Sequence, residues 1–237
     1  MVDASPAQEG NRLFSLRPHP CHRLSDPAGG RMVSPAIVVV TGPKESGKST
    51  FCRELARAGV EAGLDVAGIV TTKEGPPARV TAGPAAPWGG PAAGRLVVTN
   101  LRTGRQSLLG AWTGTRWAME EAGLAAGREA LAAAVPCDLL IIDEIGRLEL
   151  DHGRGWPEAF KLLAQGGFGQ AVVTVREGYD EALLQALAQA QALTQAVPPS
   201  VAPQPQVVRV PRSPAAWQGL LQAVLARGAA PSEVVGL

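Results

Sequence analysis

Two short stretches hold the residue types and spacings that can do chemistry. Gly42-Pro43-Lys44-Glu45-Ser46-Gly47-Lys48-Ser49 fits the pattern G-x-x-x-x-G-K-[ST]. Its glycines let successive backbone N–H groups wrap a phosphate chain where a Cβ would collide. A helix starting at Ser49 would add its positive N-terminal end. Lys48 would then reach β- and γ-phosphates, and the Ser49 hydroxyl would ligate Mg²⁺. Lysine usage sharpens the reading. The chain has only four lysines, Lys44, Lys48, Lys73 and Lys161, and two of them fall in this loop. A compact ammonium suits phosphate better there than a planar guanidinium does.

The second stretch is Asp138-Leu-Leu-Ile-Ile-Asp143-Glu144, an apolar run that ends on two adjacent carboxylates. Carboxylates are costly to bury unpaired, so the pair calls for a cation or a turn. In a parallel α/β sheet, ligands collect at the carboxyl ends of the strands. Asp143 is placed there to hold Mg²⁺ directly or through a water. Glu144, pointing another way, is placed to polarise a water for attack on a γ-phosphate. The competing reading of Asp143 is a turn or cap residue.

Other polar residues have weaker claims. Thr174 either senses the γ-phosphate and orients the water, or only favours a strand. Arg147 stabilises charge on a transferring phosphoryl group, or is a solvated arginine, or pairs with Glu149. Trp88, Trp112, Trp117 and Trp156 read as loop or helix-start residues that fill the core edge, or one of them stacks on a base. His19, Cys21 and His22 resemble a metal cluster, but His152 is the only other histidine, and a closed site needs about four ligands.

The elements that must position these groups follow from the apolar pattern. Residues 1–35 lack either regular period and read as a disordered tail. Ala36–Thr41 is a β-branched run suited to a strand buried on both faces. Apolar spacing through Phe51, Leu55 and Ala58 predicts a helix closed by Gly59 and Gly63. Further strands are expected at 65–72 and 138–142, a hairpin at 95–100 and 105–110, and a helix over about 117–134. Residues 75–94, rich in Gly, Pro and Ala, read as a flexible insertion. Beyond the carboxylates come a helix near 156–165, a strand at 169–175 and a helix over 179–196. A Pro-rich connector, a last strand at 207–210 and a last helix over 214–227 complete the domain, which spans 36–228 and leaves 229–237 as a tail. Alternating strands and helices imply a three-layer α/β domain.

Bulk properties exclude several partners. The net charge of +1 gives no general attraction to nucleic acid or anionic lipid. No apolar run approaches the ~20 residues needed to cross a bilayer. Three cysteines without metal-type spacing fit a reducing, cytoplasmic setting.

At Asp-Glu-Ile-Gly-Arg-Leu-Glu-Leu, residues 143–150, the chain resembles the small P-loop nucleoside-triphosphatases related to nucleotide kinases, the cancer-related nucleoside-triphosphatase family. GIVTT after the first helix, a hairpin with a Thr-Gly turn and VVTV after the carboxylates look similar too, so the resemblance covers about residues 36–228. It implies a P-loop NTPase fold with a mostly parallel RecA-like sheet and an inserted β-hairpin. It also implies Mg²⁺-dependent hydrolysis of ATP, GTP and other triphosphates, with loop roles on Gly42, Gly47, Lys48, Ser49 and Thr50 and acidic roles on Asp143 and Glu144. Where the family tends to carry Asn-Arg near the last helix, this chain reads Val-Pro-Arg-Ser-Pro. Two other functions compete with hydrolysis. One is a kinase, which needs an acceptor pocket, with the region 111–130 as candidate. The other is a nucleotide-dependent switch, such as a small GTP-binding protein of molybdenum-cofactor assembly.

Overall fold

The computed structural model describes residues 36–75, 94–194, 205–209 and 214–229. The expected N-terminal tail, most of the 75–94 insertion, most of the Pro-rich connector and the tail beyond 229 lie outside them, as do His19, Cys21, His22 and Trp88. In chain order the elements are β1 (Ala36–Gly42), α1 (Lys48–Glu61), β2 (Val66–Glu74), β3 (Arg95–Asn100), β4 (Gln106–Trp112), β5 (Trp117–Met119) and α2 (Glu121–Ala132). Then follow β6 (Cys137–Ile145), α3 (Arg147–Leu150), α4 (Glu158–Gln165), β7 (Phe168–Arg176), α5 (Asp180–Thr194), β8 (Pro205–Arg209) and α6 (Pro214–Ala229).

The strands form one eight-stranded sheet in the order β5-β4-β3-β2-β6-β7-β1-β8. From β2 to β8 every neighbouring pair is parallel, and β3, β4 and β5 are added antiparallel on the β2 side. β7 therefore separates the phosphate-loop strand β1 from the acidic strand β6. Period-two alternation explains the burial of the central strands. In β6, Leu139 and Ile141 join the core under α1 and α6, while Leu140 and Ile142 join the core under α2, α4 and α5. Helices thus cover both faces, giving the three layers.

Three boundaries differ from the sequence pattern. Gly59 does not close α1. It lies buried inside the helix, where a Cβ would come within 3.0 Å of Val66 and 3.1 Å of Leu139, and Gly63 at φ +78° follows the helix end. The expected helix over 117–134 begins only at Glu121, because Trp117–Met119 pair with β4 as a third antiparallel strand. β6 does not stop at Ile142. It continues through both carboxylates to Ile145, and a one-turn helix, α3, follows.

Candidate functional site

The phosphate loop leaves β1 at Gly42 and enters α1 at Lys48. Glu45 at φ +62° and Gly47 at φ +93° turn the chain in the left-handed region. The Ser46 N–H donates to the Pro43 carbonyl at 3.3 Å, and the Phe51 N–H donates to Gly47 at 2.8 Å. No side chain caps α1 at Gly47, so the first-turn N–H groups, which have no intrahelical acceptor, receive no bond from an N-cap side chain. The Ser46 hydroxyl is buried with no hydrogen-bond partner among the described residues. Ser49 and Thr50 occupy the first turn of α1, and the Thr50 hydroxyl accepts from Arg53 at 3.1 Å. Lys44 is largely exposed at the rim of the cavity, 3.9 Å from Glu45.

Lys48 folds back over the loop, and its ammonium donates to the carbonyls of Gly42 and Pro43 at 2.8 Å each. Burial lowers its pKa from 10.5; Glu144 and Asp143 oppose the shift, and Arg176 and Lys73 add to it. Lys48 thus feels both carboxylates across the cavity that it shares with them.

A bulge separates the two carboxylates. Ile142 pairs with Val173 and Ile145 with Val175, so β6 spends one more residue than β7 over the same stretch. Such an extra residue bends a strand and re-aims its side chains. Asp143 turns inward and is fully buried, whereas Glu144, at φ +70°, turns outward and is exposed. Asp143 meets its burial cost through hydrogen bonds. Its Oδ2 accepts from the Thr71 N–H at 3.1 Å and the Thr71 hydroxyl at 2.9 Å, and its Oδ1 accepts from the Thr174 hydroxyl at 2.7 Å. The Thr174 hydroxyl in turn accepts from the Glu144 N–H at 2.7 Å. Thr174 is thereby more than a strand former: it ties the buried acid to the backbone of the exposed one. The Thr71 hydroxyl also lies 3.2 Å from Glu144 Oε2.

The remaining candidates divide clearly. Arg147 is exposed and pairs with Asp151 at 3.4 Å, not with Glu149. Glu149 is buried and caps α3, its carboxylate accepting from the N–H groups of Gly146 at 3.0 Å and Trp156 at 3.2 Å. Burial raises its pKa above 4.5 against the pull of these backbone donors. Trp156 is core, its indole donating to the Leu124 carbonyl at 3.1 Å. Trp112 and Trp117 belong to strands and meet edge to face at 5.5 Å. Cys52 and Cys137 are buried, and burial pushes the Cys52 thiol well up. No cluster of three or more His, Cys, Asp or Glu side chains shaped for a metal occurs among the described residues. No helix among them is long and apolar enough to cross a membrane.

Sequence reasoning missed Thr71, whose only local signal is a polar residue at the end of the buried run GIVT. It also missed the cavity. A space of about 550 Å³ opens at the carboxyl ends of the strands, lined on one side by the loop, Asp143 and Glu144. Its other side is lined by Leu96, Leu109, Trp117, Met119, Leu124 and Trp156.

Fold and site together define a three-layer P-loop NTPase architecture, with a mostly parallel RecA-like sheet and an inserted antiparallel hairpin. Among solved structures, the chain is similar to that of a human cancer-related nucleoside triphosphatase, at 17% identity over 81% of this chain and 96% of that one, with a TM-score of 0.49. It is also similar to THEP1 from the hyperthermophile Aquifex aeolicus, at 14% identity over 80% of this chain and 97% of that one, with a TM-score of 0.45. No protein-family model matches the chain, and no curated protein does.

Proposed function

We propose that this protein hydrolyses nucleoside 5′-triphosphates, ATP, GTP and others, to the diphosphate and phosphate, with Mg²⁺ as cofactor. The observation that carries the reading is the bulge in β6. It places a buried, hydrogen-bonded Asp143 and an exposed Glu144 side by side, on the same cavity as Lys48. The loop backbone and Lys48 would take the phosphates, and the orphaned Ser46 hydroxyl has a donor to offer them.

The donors near the loop are oxygens, which suits Mg²⁺. Ser49 and Asp143 would hold the ion, Asp143 through a water, since both its oxygens already accept hydrogen bonds from Thr71 and Thr174. When bound, Mg²⁺ neutralises charge on the β- and γ-phosphate oxygens. Glu144 does the acid–base work: its carboxylate takes a proton from the attacking water, while Thr71 and Thr174 fix its side chain and backbone.

Glu144→Gln tests this. Removing the basic oxygen while keeping size should lower phosphate release on the order of 10²- to 10⁴-fold. Calorimetry should still find Mg·ATP binding. A Glu144→Gln protein that hydrolyses at the wild-type rate would overturn the role of Glu144.

A further inference from the structure

The apolar side of the cavity has no part in triphosphate hydrolysis as described. Phosphates need N–H donors and cations; the loop, Lys48, Arg53, Lys73, Arg147 and Arg176 bring these to the cavity, and its six apolar side chains do not. A hydrolytic water needs several polar partners to be held in place. Leu96, Leu109, Trp117, Met119, Leu124 and Trp156 offer almost none, because the one indole N–H among them with a known partner, that of Trp156, is committed to Leu124. Such walls fit an organic group.

The nucleotide's own base is poorly placed to be that group. The loop passes the phosphate chain to the N-terminus of α1, with Lys48 at its γ end. The nucleoside end therefore emerges beside Thr50 and Arg53. α1 packs on one face of the sheet, through Phe51, Cys52 and Leu55. The apolar chamber belongs to the opposite face, with Leu96, Leu109 and Trp156 in the other core and Trp117, Met119 and Leu124 packed against it. Glu144 lines the same cavity as the loop and the six apolar side chains. Whatever fills the chamber meets the γ-phosphate from the side away from the nucleoside.

We infer that the chamber is the site of a second substrate: a small alcohol bearing an uncharged, flat aromatic or heteroaromatic ring, whose hydroxyl takes the γ-phosphoryl group. Trp117 offers the ring a partly buried aromatic face and Met119 an adaptable thioether, a pairing suited to flat rings. The inference rests on the proposed roles of the loop and of Glu144. In the transfer, the Glu144 carboxylate takes the proton of the acceptor O–H, and that oxygen bonds to the γ-phosphorus. The bond from the γ-phosphorus to the β,γ-bridging oxygen breaks, and its electron pair leaves with the nucleoside diphosphate. The proton on Glu144 then passes to solvent. Water reaching the exposed Glu144 would be the default acceptor when the chamber is empty.

The full chain with Mg²⁺ and γ-labelled ATP, incubated with pyridoxine, 2-phenylethanol or each common nucleoside, tests the inference, with ring-free glycerol as control. The expected result is a labelled phosphomonoester of at least one ring-bearing alcohol and none of glycerol. In Trp117→Ala and Met119→Asp, the acceptor's KM should then rise at least about tenfold more than the KM for Mg·ATP. If only inorganic phosphate forms with every alcohol, the inference is overturned and hydrolysis stands. If both substitutions instead raise the KM for Mg·ATP, the chamber holds the nucleotide's base and the inference is equally overturned. Failure of the hydrolysis reading shows separately, as no phosphate release by the unmodified protein without any alcohol. The product assay needs no variant, so it decides even where a substitution fails to fold.

Discussion

The parallel strands β2, β6, β7, β1 and β8 and the antiparallel strands β3, β4 and β5 border one cavity with opposite chemistry. The parallel part presents a turn of backbone N–H groups, an ammonium and two carboxylates at its carboxyl edge. The antiparallel part presents indole, thioether and leucine side chains. The parallel part is polar because that edge is where strands hand over to loops and helix N-termini, and backbone donors there are left for a ligand. In the antiparallel part, β5 is reached through a tight turn in which Thr113 and Arg116 hydrogen-bond to each other. Its Leu96, Leu109, Trp117 and Met119 line the space. A polar site can be built from main chain at fixed spacing; an apolar one must be assembled from side chains on separate strands.

Substitutions in the two parts should therefore fail in different ways. The largest effect belongs to the phosphate loop. On the proposed role of Lys48 as the cation over the β- and γ-phosphates, Lys48→Ala should lower phosphate release on the order of 10²- to 10³-fold, and nucleotide affinity with it. Lys44→Ala, at a largely exposed position of the same loop, should change either quantity little. Equal losses in the two variants would show that Lys48 has no special role in the loop.

Next comes the support beneath the acids. Thr174→Val leaves Asp143 Oδ1 and the Glu144 N–H without their shared partner. The denaturation midpoint should drop by the equivalent of about 1–3 kcal/mol, with a loss of turnover. Thr174→Ser should restore most of both, since it keeps the hydroxyl. If serine rescues no better than valine, the methyl group matters and the hydrogen bonds do not.

On the antiparallel side, packing is what can break. A Cβ on Gly127 in α2 would overlap the Trp156 indole. Gly127→Ala should cost about 1–3 kcal/mol in urea unfolding. Gly219→Ala in α6, where nothing lies within reach of a Cβ, should be neutral or slightly stabilising. Similar midpoints for the two variants would remove the close contact between α2 and Trp156 from the account.

The smallest effect is a pH dependence confined to the loop. Burial lowers the Lys48 pKa below 10.5, so in the folded protein Lys48 gives up its proton before an unfolded chain would. As pH rises through that window the unfolded chain holds more protons, and this group's contribution to folding stability grows. On the proposed role of the Lys48 ammonium in binding, calorimetric affinity for Mg·ADP should weaken while the free protein gains stability from this group. Lys48→Arg, which keeps its charge, should bind more weakly at neutral pH and lose the alkaline decline.

What was legible in the sequence was whatever depends on local spacing. Gly42, Gly47, Lys48 and Ser49 declare a loop because a wrapped backbone needs glycine at those intervals, and the β-branched run before it and the helical pattern after it follow. The β3–β4 hairpin shows in its Thr-Gly turn. The details of the acid site do not show, because they come from distant residues. Asp143 is held by Thr71 and Thr174, 72 and 31 positions away. Asp and Glu favour neither strands nor burial, so an alternation of apolar residues ends at Ile142 although the ladder runs on. β5 is hidden for the same reason. Trp-Ala-Met-Glu-Glu reads as the start of an Ala- and Glu-rich helix until pairing with β4 claims its first residues.

Thr71 carries one hydroxyl proton, and two carboxylate oxygens, Asp143 Oδ2 at 2.9 Å and Glu144 Oε2 at 3.2 Å, stand within reach of it. A single proton shared between both gives neither a full hydrogen bond, so the two acids compete for one donor. A cation that drew on the charge of Asp143 would make it the poorer acceptor and leave more of the donor to its neighbour. Glu144 would then be steadied when its partner was occupied, and the company of one carboxylate would reach the other through a single rotating O–H bond.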